Sequence, residues 1–166
     1  MRTVAAGLLA VVSLALSNPA SARTTRVHVT GTTQVIEMVD PGRSWLSGPI
    51  GHTRGRQVRT LSTPDASSGL PVGVILATVN VVVDTRTFEG WVWGRGTVDY
   101  GDGGFSMIFA GDISPAAVPG GYVAESRFVG RGFGSYKGYQ LRVTSREIVA
   151  EGSATFEGVL FKPGDN

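Results

Sequence analysis

FVGRGFGSYKGYQLRV, Phe128 to Val143, carries four glycines, Gly130, Gly132, Gly134 and Gly138, with Arg131 and Lys137 among them. A glycine-rich loop bearing positive charge is one way to cradle a phosphate, and a tight connection between two strands is another. A phosphate loop of the P-loop kind needs G-x-x-x-x-G-K-[ST] and a following helix whose free amides complete the cradle. Here Lys137 follows Tyr136 and precedes Gly138. The dinucleotide pattern G-x-G-x-x-G fails too, since Gly130 and Gly132 fit but Ser135 stands where the third glycine belongs. The residues that follow, YQLRVTSREIV, alternate like a strand. The stretch is a hairpin.

Working outward, almost nothing after the first segment reads as helix. The 24 glycines and 8 prolines are spread along the chain, and no long stretch keeps a 3.6-residue apolar period. Valine, threonine and aromatic runs bounded by Gly, Pro and Asp clusters predict about eight strands instead. They are Arg26 to about Met38, a weaker one around Gln57–Leu61, Val72–Asp84, Phe88–Tyr100 and Phe105–Ile113. Tyr122–Gly130, Tyr139–Val149 and Ser153–Phe161 complete the set. VDPGRSWLSGP, with Pro41, Gly42, Gly48 and Pro49, reads as a break after the first strand.

The opening segment, MRTVAAGLLAVVSLALSNPASA, has a basic Arg2, an apolar run from Val4 to Leu16 and the small-x-small end Ala20-Ser21-Ala22. That is the pattern of a cleaved signal peptide. Residues 1–22 are therefore expected to be a leader and residues 23–166 one domain, secreted or periplasmic. No second apolar run has membrane length, so no span is expected after cleavage. Cysteine is absent, which removes disulfides, thiolate metal sites and thiol nucleophiles from consideration.

Formal charge is only +2, without the clustered positive surface that a nucleic-acid partner requires. The one local excess is HTRGRQVR, where Arg54, Arg56 and Arg59 lie close together with no nearby acid. It reads either as a solvated strand or as an anion contact.

Successive strands joined by short turns make an antiparallel meander. Closing it into an eight-stranded up-and-down barrel removes the edges that would otherwise invite aggregation. Such barrels are filled by side chains or hold one small ligand. A two-sheet sandwich shares much of the signature and stands as the structural alternative. Gly90, Gly94 and Gly96 lie within one strand pattern, where interior glycine lets a sheet coil on itself. The two-residue interval places Trp91 and Trp93 on one face, either plugging the barrel or lining its pocket.

The hairpin resembles the hydrophobic-V-G-G-[TS]-G-x-[FY]-x-x-x-x-G-[YQ] segment of the allene oxide cyclase and dirigent barrels. Phe128, Val129, Gly130, Gly132, Tyr136 and Gly138 are the matching positions, while Arg131 and Phe133 depart from the pattern and the spacing is shifted by one. VIEMVDPGRS is similar to the first-strand exit of the cyclases. The resemblance implies a calycin-like eight-stranded antiparallel barrel whose inward aromatic follows the glycines. It also implies cyclisation or coupling of an apolar substrate in the barrel mouth, with Glu37 at the position of the pocket glutamate. Family members often assemble, so a homo-oligomer is an expectation that no apolar stripe in the sequence localises.

Among other candidates, Trp91, Trp93, Phe109 and Tyr122 are expected to converge on the cavity. Glu125 and Arg127 share a face, as either a lumen pair or a surface pair. Asp99, Asp102 and Asp112 sit at strand ends, where aspartate usually bonds its own backbone. Two histidines, His28 and His52, share no ligand spacing, and no serine has the G-x-S-x-G setting. No metal and no cofactor are expected. Three readings stay open: a cyclase- or isomerase-like enzyme on a hydrophobic small molecule, a lipocalin-like carrier, and a solid barrel that works through its surface.

Overall fold

The computed structural model describes residues 24–117 and 121–163; the leader expected over residues 1–22 lies outside them. Nine strands follow one another: β1 (Thr25–Asp40), β2 (Arg43–Ser47), β3 (Ile50–Pro64), β4 (Gly73–Asp84) and β5 (Gly90–Asp99), then β6 (Gly103–Pro115), β7 (Tyr122–Gly134), β8 (Gln140–Ile148) and β9 (Ser153–Lys162). Every pairing is antiparallel, and the sheet order runs β1-β9-β8-β7-β6-β5-β4-β3-β2 with a further β1–β3 pairing. That last contact closes eight strands into a barrel. The strand left over, β2, hangs on β3 outside the closed wall.

The short β2 and the length of β3 depart from the sequence reading. Gly48, in the left-handed region at φ 60°, turns β2 back onto β3, so the stretch read as a break is itself a hairpin. GHTRGRQVRT has no apolar alternation, and only its partners reveal it as strand: β4 pairs along it on one side, and β2 and then β1 on the other.

The opening hairpin is β7–β8. Gly132 donates its N–H to the Tyr139 carbonyl at 3.0 Å, and a Cβ at Gly132 would sit 1.9 Å from the Tyr136 carbonyl oxygen. Only glycine permits that approach. The turn carries Tyr136 back against the barrel end, where its ring lies 5.1 Å from Phe105, 5.4 Å from Tyr100 and 5.6 Å from Tyr139. Beneath this group Val29, Val98, Phe105, Met107, Leu141 and Leu160 are buried together. The end bearing the β5–β6 and β7–β8 turns is thus plugged by aromatic side chains. Burial, reinforced by Tyr136, pushes the Tyr100 phenol up to about 12, so it stays neutral in the plug.

Candidate functional site

Above the plug the barrel is hollow. Inward side chains enclose a cavity of about 320 Å³, walled mainly by aliphatic and aromatic groups such as Val79, Val92, Phe109, Ile113, Phe128 and Val143. That volume lies at the low end for a small-molecule site. Toward the end bearing the β1–β2 and β6–β7 connections lies an outer cleft of about 370 Å³, lined by Trp45, Leu46, His52 and Thr53 among others. Arg56, Val81 and Tyr122 line both spaces and so form the neck between them.

Arg56 reaches the lumen because β3 is bulged. Thr53 pairs with Val81 and Arg56 with Val79, so Arg54 and Gly55 together face the single residue Asn80. Gly55 takes φ 70°, and its N–H donates to the Asn80 carboxamide oxygen at 3.1 Å. A bulge of this kind re-aims the side chain that follows it. Arg56 therefore shares the inward face with Val58, Thr60 and Ser62, whereas Arg54 is exposed and Arg59 points outward. Within the cavity wall the Arg56 Nε is shielded from solvent and has no hydrogen-bond partner.

Glu147 also lines the cavity, in the inward row Leu141, Val143, Ser145, Glu147 of β8. Burial alone pushes its carboxyl above the ordinary value of 4.5. Neither Arg56 nor Glu147 belongs to the ion pairs formed among the described residues, which join Arg59 to Glu37, Arg86 to Asp84 and Arg146 to Glu125.

Of the side chains expected at the lumen from sequence, Phe109 and Tyr122 line the cavity. The others do not. Glu37 lies on the outer wall, 49% exposed, in a 2.6 Å ion pair with Arg59. Strict alternation from Val35 would have placed it inside, but the β1–β3 register slips between Val35 and Glu37, leaving Ile36 unpaired and turning Glu37 outward. Trp91 is 45% exposed, and Trp93 shares its outer face. The inward positions of β5 go to Val92, Gly94, Gly96 and Val98, and at Gly94 a Cβ would lie 2.1 Å from the Thr78 carbonyl oxygen and 2.6 Å from the Phe109 Cζ. Glu125 and Arg127 are exposed, and Glu125 pairs across strands with Arg146 at 3.4 Å rather than with Arg127.

Arg56 stood in the sequence as one of three clustered arginines, and the glycine before it was the available sign of a bulge. Glu147 was missed, although it continues the row Leu141, Val143, Ser145 at two-residue spacing. Among the described residues no cluster of three or more His, Asp or Glu side chains could hold a metal ion. Comparison with known proteins yields no match: neither a family model, nor a curated protein, nor a solved structure is significantly similar to this chain.

Proposed function

We propose that the protein holds one small hydrophobic molecule in its lumen, as an exported carrier of lipocalin-like mode. The observation that carries this reading is the apolar cavity of about 320 Å³ inside a wall closed by hydrogen-bonded strands. A molecule seated in an apolar space of this size leaves water and gains dispersion contacts with the lining. Export rests on the leader-like residues 1–22. Kinship with the allene oxide cyclase and dirigent barrels rests on the hairpin residues and on the weaker likeness of VIEMVDPGRS.

Catalysis of the cyclase or isomerase type is the second reading, and Glu147 favours it. It is the one carboxylate lining the cavity among the described residues. A carboxyl group in an apolar site is suited to exchanging a proton with a substrate or stabilising developing charge. Exposed Glu37 has no such setting.

Native mass spectrometry of the protein purified from its own host, followed by organic extraction, tests the main reading. A stoichiometric small molecule is the expected result. An empty protein that also fails to take up apolar probes overturns it. Conversion of the extracted molecule by the wild type but not by Glu147→Gln would favour the enzyme over the carrier.

A further inference from the structure

A guanidinium in a greasy neck is an expensive thing to build. Buried polar groups are nearly always hydrogen-bonded, and a buried donor left without an acceptor costs about 1–3 kcal/mol, more when charged. Arg56 Nε is such a donor: shielded from solvent and unpartnered. It is also positioned, because the Gly55 bulge and its bond to Asn80 turn the side chain inward. It stands where the lumen meets the outer cleft.

Resting on the lumen-binding reading, we propose that the ligand is an amphipathic monocarboxylate. Its apolar body fills the lumen toward the aromatic plug, and its carboxylate accepts hydrogen bonds from Arg56 at the neck. The planar fork of a guanidinium matches a carboxylate in two-point geometry. One positive side chain lines the two spaces among the described residues, which suits a single negative charge better than a phosphomonoester carrying up to about two. Tyr122, at the same neck, has a phenolic hydroxyl that can donate to the second oxygen. Glu147 is the opposing acid in the lumen. It and Arg56 form no ion pair with each other, so the guanidinium is not already engaged by a carboxylate of the lumen wall.

Dodecanoic acid, 1-dodecanol and dodecylamine share a chain and differ in head group, and their binding is measured by calorimetry at about pH 8, where the acid is ionised. Wild-type protein is expected to bind the acid at least about tenfold more tightly than the alcohol, and the amine most weakly of the three. Arg56→Gln should bring acid and alcohol to within about threefold, while Arg56→Lys keeps part of the preference. Circular dichroism and thermal melting establish that each variant is folded. Equal binding of acid and alcohol by the wild type, or an acid preference that survives in folded Arg56→Gln, overturns the anionic anchor and leaves lumen binding standing. Tighter binding of the amine than of the acid overturns it without reference to any variant. Failure of all three probes to bind overturns both.

Discussion

The Gly55 N–H and the Asn80 side-chain oxygen are joined by a 3.1 Å hydrogen bond across the β3–β4 bulge, and that bond sets the direction of Arg56. Asn80 is anchored on its other side, where its amide donates to the Trp93 carbonyl at 3.4 Å. A cross-strand side chain thus holds the extra residue of a bulge against its neighbour on β5. Gly55→Ala leaves the surroundings unclashed, since no atom lies within 4 Å of the new Cβ, so its cost is backbone strain alone. Urea unfolding should show a loss of about 1–2 kcal/mol. Asn80→Ala should lose about 1 kcal/mol, and both variants should weaken discrimination between acid and alcohol ligands.

Glu147 imposes a pH dependence. Its folded value lies above the ordinary 4.5, so the folded protein keeps a proton that the unfolded chain releases. The associated stability is complete below about pH 4.5 and is lost as pH rises through the folded value. Relative to Glu147→Gln, wild-type unfolding free energy should fall with rising pH by at most about 1.4 kcal/mol per unit. Parallel stability curves for the two proteins would remove Glu147 from the buried wall.

Glu37→Gln breaks an ion pair whose partners are about half exposed. Such pairs contribute about 0–1 kcal/mol. The variant should melt close to the wild type and bind lumen ligands unchanged, which titration with a dodecyl probe checks. A large loss of affinity would place Glu37 in the site after all.

Phe105 is fully buried and in contact with Tyr136 at the plugged end. Phe105→Ala removes the central piece of that plug, and chemical denaturation should register a loss of about 3–5 kcal/mol. Ligand binding is expected to weaken with it, because the floor of the cavity opens.

Ala77 lines the lumen from β4. Ala77→Phe projects a ring into the lumen and should lower affinity for dodecyl ligands by about tenfold or more, with the strand content of the circular dichroism spectrum retained. Unchanged affinity would mean that ligands bind in the outer cleft and not in the lumen.

The hairpin at Phe128–Val143 was legible because its information is local. Glycine spacing, the absence of a following helix and strand alternation are all properties of a few consecutive residues, and the closed antiparallel barrel follows from a succession of such hairpins. β3 was legible only in part. Its polar, glycine-broken sequence forms a strand because β1, β2 and β4 supply partners for its backbone. The indoles of Trp91 and Trp93 were rightly placed on one face, but alternation alone did not say which, and the tertiary structure puts them outside with Val92 and Val98 within.

Taken alone, the amino-acid order determined that the described residues are mainly strand, joined by tight turns and bent by interior glycines, because those preferences act between neighbours. Which charges ended inside was decided by tertiary pairing. One slipped register turns Glu37 out to solvent and another turns Arg56 into the lumen. Side chains alternate across a strand with a period of two, so a single extra residue inverts everything beyond it. Whether such a residue is accommodated depends on the strand alongside.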